Sequence, residues 1–183
     1  KIEENIEFYS TLRTVKAIEQ CDVGLLLIDA TQGLEAQDMN IFGLLQKNRR
    51  GIVIVINKWD LVEKETNTAR DFEAKIKERI APFVDVPVIF TSTITKQRLL
   101  KALELATKVY ENMKRKISTS ELYDIMLAAI ERHHPPTFRG HIVRIKSVTQ
   151  IPGKVPTIFI FCNYPKGIKE SYKRYLENQL RSR

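Results

Sequence analysis

Short apolar runs alternate with longer amphipathic stretches over the first 116 residues. Three runs are apolar at nearly every position, which predicts strands buried on both faces; they are VGLLLI at 23–28, GIVIVI at 51–56 and VIFT at 88–91. Between and around them, hydrophobic residues recur at helical spacing, which predicts helices over 7–21, 35–46, 68–81 and 97–116. The alternation favours an α/β fold, in which helices cover both faces of a parallel sheet.

The pattern changes after residue 116. Ser118 precedes an apolar stripe and is followed three residues later by Glu121, a capping box that predicts a helix. Pro135 and Pro136 end that helix near Arg132. Two strands and a helix follow, over 141–148, 156–162 and 169–180. We therefore expect a second, α+β domain over 117–183 with its strands in a hairpin, and a first domain over 1–116.

Charge distinguishes the two predicted domains. The 183 residues contain 30 Lys+Arg and 22 Asp+Glu, a net charge of +8, which favours polyanionic partners and nucleic acid first. Residues 1–116 contribute +2 and residues 117–183 contribute +6. A hydrophobic content of 43% excludes a disordered or fibrous chain. No apolar stretch is long enough to cross a bilayer, so no membrane contact is expected.

The strongest candidate for chemistry follows the second predicted strand. Asn57-Lys58-Trp59-Asp60 has the form N-K-x-D, the guanine-recognition motif of GTPases. Ligands of open parallel sheets bind outside the carboxyl ends of the strands, where this tetrapeptide lies. The alternative is a polar turn in which Asp60 caps the following segment.

The residue types suit guanine. Its ring N–H and amino group are adjacent donors, and the Asp60 carboxylate can accept from both. Adenine would leave that carboxylate unpaired, which costs about 1–3 kcal/mol or more for a charged group. The stem of Lys58 can lie along the base, and Asn57 can join neighbouring loops and reach the base edge.

A second loop follows the third predicted strand. Guanine recognition of this kind uses an S-A-x loop, whose serine steadies the aspartate loop and whose next amide donates to the guanine carbonyl oxygen. Ser92 and the amide of Thr93 fit these positions, with Thr93 in place of the usual alanine. Taken alone, the segment also fits an ordinary strand end with capping hydroxyls.

Four segments together resemble the bacterial GTPase Der (EngA) family, over essentially the whole chain. They are EFYSTLRTVKAIEQCDVGLLLIDATQG at 7–33, NKWDLV at 57–62, TSTITKQR at 91–98 and ESYKRYLENQLR at 170–181. The resemblance implies that residues 1–116 are the C-terminal portion of the second of two tandem GTPase domains, a P-loop-type α/β domain. It further implies that residues 117–183 are a KH-like domain lacking its last strand.

The chain departs from that family in lacking the motifs that bind the nucleotide phosphates. The chain contains no G-x-x-x-x-G-K-[ST] and no D-x-x-G, which the family carries upstream of the helix at 7–21. We therefore expect a fragment that binds GTP or GDP through Asn57, Lys58, Asp60, Ser92 and Thr93. Mg²⁺ binding is expected only with the missing upstream half. No catalytic residue or metal ligand is assigned within the segment, which we expect to be inactive alone.

The resemblance implies a cytoplasmic protein that acts in assembly or stability of the large ribosomal subunit. The expected partners are ribosomal RNA or ribosomal proteins, and the missing first GTPase domain. A basic KH-like unit fits RNA contact, but it has no G-x-x-G loop, so a solvated basic face on a protein-contact module is an equal alternative. Two further hypotheses are an RNA- or protein-binding module with a degenerate nucleotide fold, and an unrelated doubly wound enzyme fragment.

Overall fold

The computed structural model describes residues 12–63 and 65–182. The chain divides into two units, with the division between Met113 and Lys114. Within the described residues, helix α1 covers 12–20, and the remainder of the predicted helix at 7–21 lies largely outside the described range.

Three parallel strands form the sheet of the first unit: β1 (Val23–Asp29), β2 (Gly51–Asn57) and β3 (Val88–Phe90), with β2 in the centre. The pairing places Asp29 opposite Asn57, so the ends of β1 and β2 lie side by side. The helices between and after the strands are α2 (Ala36–Lys47), α3 (Thr68–Ile80) and α4 (Leu99–Lys114). The predicted parallel α/β architecture is confirmed.

Side chains of β2 alternate between two apolar clusters, one on each face of the sheet. Ile52, Ile54 and Ile56 pack in a cluster with residues of α1, α2 and α3. Val53 and Val55 pack on the opposite face against α4. All five are buried, because helices cover β2 on both sides. This burial holds the end of β2 rigidly in place, and the candidate motif begins there.

The second unit contains α5 (Thr119–Arg132), β4 (Ile145–Ile151), β5 (Thr157–Cys162) and α6 (Glu170–Arg181). The two strands pair antiparallel, which confirms the predicted hairpin. Ser118 caps α5 by accepting a hydrogen bond from the Glu121 amide at 3.1 Å. Leu122, Met126, Val148, Tyr172 and Leu176 form the buried core between helices and sheet.

The first strand of the hairpin lies later than its sequence predicts. We expected 141–148 from alternating polarity, whereas β4 begins at Ile145. Phe138 and His141 exchange two backbone hydrogen bonds of 2.9 Å around a turn in which Arg139 and Gly140 have φ of 50° and 78°. The turn takes only the first residue of the predicted strand. Beyond it, the side chain of Asn163 donates to the Ile142 carbonyl oxygen and accepts from the Arg144 amide, where a strand would bond to backbone. Similarly, backbone pairing of Ser92 with Gln97 delays α4 to Leu99.

Candidate functional site

The candidate site lies at the carboxyl edge of the three-stranded sheet. Asp29 and Asn57 are the last residues of their strands, and Thr91 and Ser92 directly follow β3. The Ala30 amide donates to the Asn57 carbonyl oxygen at 2.9 Å, and the Trp59 amide donates to the Thr91 carbonyl oxygen at 3.1 Å. Three loops are thereby joined through their backbones. The fold thus brings the two predicted loops together.

Asn57 links the second strand to the loop after the third. Its side-chain oxygen accepts hydrogen bonds from the Thr93 amide at 3.2 Å and from the Thr91 hydroxyl at 3.4 Å. Both donors come from a segment more than thirty residues away along the chain. The predicted joining of loops by Asn57 is present in this geometry. Its side-chain nitrogen is the group left to reach a base edge.

Lys58 has a left-handed backbone, with φ of 60° and ψ of 31°. This conformation costs a residue with a Cβ atom about 1–2 kcal/mol. Residues with such strained backbones concentrate at functional sites. The Lys58 ammonium lies 2.6 Å from Asp29 Oδ2. The unusual backbone therefore aims the side chain of Lys58 back over the end of β1.

Asp29 is held in its charged form by three donors. Besides Lys58, the Thr31 amide donates to Asp29 Oδ1 at 2.9 Å and the Thr31 hydroxyl donates to the same oxygen at 2.7 Å. The Lys58 hydrogen bond, followed by those from Thr31, lowers the pKa of Asp29 from 3.8 to about 2. A carboxylate fixed in this way gives Lys58 a defined position at the mouth of the site.

A short 3₁₀ helix over Trp59–Leu61 carries the predicted guanine acceptor. Trp59 is buried and anchors the helix, with its ring 4.3 Å from that of Phe90 and 5.7 Å from that of Phe72. Asp60 follows this anchor, and its Oδ1 atom is buried without a hydrogen-bond partner among the described residues. Because a buried carboxylate oxygen is costly to leave unpaired, Asp60 retains an acceptor that no described residue uses.

Ser92 and Thr93 are placed at the site, but in arrangements that differ from the expected ones. Ser92 is fully buried, and its hydroxyl oxygen accepts from the Thr95 amide at 3.1 Å, within its own loop. The Thr93 amide, expected to donate to a guanine carbonyl oxygen, donates to Asn57 Oδ1. An amide hydrogen can be shared between two acceptors, so a base could engage it only in that shared manner. The roles assigned to both residues stay predictions.

The arrangement fits a guanine base. The unpaired Asp60 oxygen requires a donor, and the ring N–H and amino group of guanine supply two adjacent donors. The described residues provide no comparable place for a metal ion, since they contain no group of three or more His, Cys, Asp or Glu side chains suited to one. These groups are chemically suited to the edge of a base, and none of the residues described at this site belongs to a motif of the kind that positions phosphates.

Two residues of the site were not among the predicted ones. Asp29 orients Lys58, and Trp59, the variable position of the N-K-x-D pattern, anchors the loop. The signal for Asp29 was its place directly after a buried run, at the same sheet edge as Asn57. Trp59 carried no comparable signal, because its aromatic partners Phe72 and Phe90 are distant along the chain.

Comparisons with known proteins match both units. Residues 7–134 match the family model of the elongation factor Tu GTP binding domain. Residues 116–183 match the family model described as KH-domain-like of EngA bacterial GTPase enzymes, C-terminal.

Curated relatives match over nearly the whole chain. Proteins named GTPase Der are 54% identical over 181 residues in Flavobacterium psychrophilum and 53% identical over 181 residues in Flavobacterium johnsoniae, each covering 99% of this chain. GTPase Der of Bacteroides fragilis is 50% identical over 185 residues, with all of this chain covered. The chain spans 42%, 41% and 42% of the length of these three relatives.

Proposed function

Since the chain belongs to the family of the elongation factor Tu GTP binding domain, we propose that it is the guanine-reading part of a Der-like GTPase together with its KH-like contact domain. The main support for this proposal is the Oδ1 atom of Asp60, which is buried and has no hydrogen-bond partner among the described residues. Its place at the carboxyl edge of a parallel sheet is where a nucleotide base binds in such folds.

Each residue of the site has a distinct part in the proposal. Asp60 accepts from the ring N–H and the amino group of guanine, and thereby selects GTP or GDP over adenine nucleotides. Lys58, held by Asp29, lies along the base, and Asn57 keeps the two base-reading loops together. Ser92 stabilises the second loop, and the Thr93 amide shares its hydrogen with the base.

The phosphates need residues outside the printed sequence. We place a phosphate-binding loop, and the Mg²⁺ that accompanies it, in a part of the longer protein outside these 183 residues, which the extent of the relatives allows. Residues 1–116 would then be the C-terminal portion of a GTPase domain, and residues 117–183 a KH-like domain. The longer protein would hydrolyse GTP.

The partners in this proposal are the large ribosomal subunit, through RNA or protein, and a first GTPase domain of the same protein. The net charge of +6 over residues 117–183 supports a polyanionic partner. No helix among the described residues is long and apolar enough to cross a membrane. We propose that the protein acts in the cytoplasm, where ribosomes are assembled.

Changing Asp60 to asparagine tests the guanine assignment. Xanthine carries a carbonyl oxygen in place of the amino group of guanine, so an amide at position 60 can donate to it while still accepting the ring N–H. In the longer protein, Asp60→Asn should weaken GDP binding by about tenfold or more and strengthen binding of xanthosine diphosphate. Competition between the two nucleotides, measured by equilibrium binding, reports the preference directly.

Asp71→Asn is the matched control, because it makes the same chemical change at an exposed position of α3 in the same unit. It should leave the nucleotide preference as it is. An unaltered preference in Asp60→Asn would reject the guanine site and favour a binding module with a degenerate nucleotide fold. Reading the coding sequence before Lys1 gives an independent check, through the presence or absence of G-x-x-x-x-G-K-[ST] and D-x-x-G.

A further inference from the structure

The β4–β5 hairpin has one face in the core and one face in solvent. Val148, Ile158 and Ile160 point into the cluster formed with α5 and α6. Alternate residues of the two strands lie on the opposite face, which we call the outer face; they are Ser147, Thr149, Ile151, Thr157, Phe159 and Phe161. Phe159 and Phe161 are 45% and 52% exposed, although phenylalanine is among the most readily buried residues.

The two phenylalanines form a regular pair. They are two residues apart on one strand, and their ring centroids are 6.4 Å apart with planes inclined by 33°. Across the ladder, Phe161 faces Ser147 and Phe159 faces Thr149. These partners are short hydroxyl side chains, and Ile151 lies diagonally from Phe159 on the same face. The outer face therefore presents two half-exposed aromatic rings beside hydrogen-bonding groups.

The charge around this face has one sign. Residues 133–169, which include the whole hairpin and its flanking loops, contain no Asp or Glu; their six basic residues are Arg139, Arg144, Lys146, Lys154, Lys166 and Lys169. The five acidic residues of 117–183 all belong to α5 and α6. Lys146 is exposed at the irregularity of β4, and Lys154 is exposed in the turn that joins the strands.

We propose that the outer face binds single-stranded RNA, with two neighbouring bases stacked on Phe159 and Phe161. Base stacking on exposed sheet aromatics needs unpaired bases, which excludes a duplex. Lys146 and Lys154 contact the phosphates of the RNA backbone, and the hydroxyl groups of Ser147 and Thr149 hydrogen-bond to base edges. A protein partner is disfavoured, because protein interface cores are depleted of lysine, whereas the hairpin and its turn carry Lys146 and Lys154 and no acidic residue.

This inference rests on the RNA contact in the proposed function and is independent of the guanine site. It also places RNA on a sheet face, so it does not need the absent G-x-x-G loop. Its failure would leave the Asp60 test untouched, and a failed Asp60 test would leave RNA binding by the hairpin untouched.

Binding of a fluorescently labelled, mixed-sequence single-stranded RNA to the 183-residue chain tests the proposal by anisotropy. Phe159→Ala and Phe161→Ala should each weaken binding by about fivefold to a hundredfold, the loss expected for one stacked base. Phe159→Tyr and Phe161→Tyr keep a ring and should bind as the wild type does. Phe159→Leu and Phe161→Leu keep apolar surface without a ring and should bind almost as poorly as the alanine variants.

Tyr123→Ala is the matched control, since Tyr123 is an aromatic residue 49% exposed on α5, on the other side of the sheet. It should leave RNA affinity unchanged. Equal affinity of the alanine and wild-type chains would overturn the proposal, as would equal affinity for single-stranded and duplex RNA. Full RNA binding by the leucine variants would show that apolar surface without a ring is enough, and would also overturn the proposed stacking.

Salt dependence separates stacking from phosphate contact. Lys146→Ala should reduce the slope of log K against log salt by about 0.7, the value for one phosphate contact on a single strand. Phe159→Ala should lower affinity at every salt concentration with the slope unchanged. If the phenylalanine variant altered only the slope, or the wild-type slope were zero, the assigned roles would be wrong.

Discussion

At the scale of single residues, the site depends on pairs that are far apart in sequence. Lys58 adopts a left-handed backbone, an arrangement that persists because the buried strand β2 precedes it and the buried Trp59 follows it. The same geometry delivers its ammonium group to Asp29. One strained residue thereby connects the end of β1 to the base-reading loop.

The pKa of Asp29 reports whether this connection is present. The Lys58 hydrogen bond is the main cause of its decrease from 3.8 to about 2, so Lys58→Ala should raise the pKa of Asp29 toward the ordinary value. Because the folded-state pKa is lowered, the pair favours the folded state above about pH 4 and loses that effect as the pH falls toward 2. Titration of the Asp29 carboxyl carbon by NMR measures the midpoint.

Lys75→Ala serves as the control for that titration, because Lys75 is an exposed lysine of α3 in the same unit. It should leave the Asp29 midpoint near 2. A midpoint unchanged in Lys58→Ala would show that Thr31 alone holds the carboxylate, and Asp29 would lose its role in positioning Lys58.

At the scale of elements, two tyrosines of α6 attach that helix to α5. The Tyr172 hydroxyl donates to the His133 carbonyl oxygen at 2.8 Å, and the Tyr175 hydroxyl donates to the Ala129 carbonyl oxygen at 2.7 Å. His133 is the C-terminal cap of α5, so the Tyr172 bond satisfies a carbonyl group that the helix leaves open at its end. The Ala129 carbonyl oxygen already accepts from the His133 amide at 3.1 Å, and Tyr175 adds a second donor to it. The helix pair in turn supports the inner face of the hairpin.

Tyr172→Phe should weaken the second unit at neutral pH by about 1 kcal/mol, the value of one hydrogen bond. Burial, with a smaller effect of Tyr175, raises the pKa of Tyr172 from 10.0 to about 12. The unfolded chain therefore releases this proton first, and wild-type stability falls as the pH rises from 10 toward 12. The phenylalanine variant lacks this contribution, so the difference between the two should shrink at alkaline pH.

Urea unfolding followed by circular dichroism, at about pH 8 and pH 11, measures the difference. Tyr123→Phe is the matched control, because Tyr123 is a half-exposed tyrosine of α5. It should change stability little at either pH. A Tyr172→Phe difference that stayed constant with pH would contradict the assigned burial of the hydroxyl.

At the scale of the whole molecule, the candidate base site and the excess positive charge lie in different parts of the chain. The candidate base site lies within residues 1–116, which contribute +2, whereas residues 117–183 contribute +6. In the proposed function, the positive charge therefore serves partner contact and not nucleotide selection. The two activities should be separable by substitution, as the Asp60 and Phe159 experiments require.

The 183-residue chain should not hydrolyse GTP. It contains neither G-x-x-x-x-G-K-[ST] nor D-x-x-G, and phosphoryl transfer depends on the phosphate positioning and charge neutralisation that those motifs supply. Release of inorganic phosphate from GTP should equal that of buffer alone. GTP hydrolysis that co-purifies with the chain, and that is lower in the Asp60→Asn variant, would contradict the prediction.

Much of the architecture follows from local patterns. The apolar run at 51–56 predicted β2 because a strand covered on both faces needs apolar side chains at every position. The run at 23–28 predicted β1 as well, but burial on both faces was wrong for it, since Leu25 and Leu27 are exposed. Ser118 marked the start of α5 because its hydroxyl accepts from the Glu121 amide within one turn, whereas the Glu121 carboxylate pairs with Arg115. The beginning of β4 could not be read in this way, since the alternating polarity starts at 141 and the strand starts at Ile145.

The sequence by itself determined which elements form, which strand end carries the N-K-x-D pattern, and which part of the chain carries the excess positive charge. These features depend on neighbouring residues or on composition. Only the tertiary structure decided that Asp29 holds Lys58 and that Phe159 and Phe161 are half exposed. It also decided that one buried oxygen of Asp60 has no hydrogen-bond partner within the part of the chain that the structure describes. Each of those depends on what distant segments place, or do not place, against a side chain, and no local pattern encodes that.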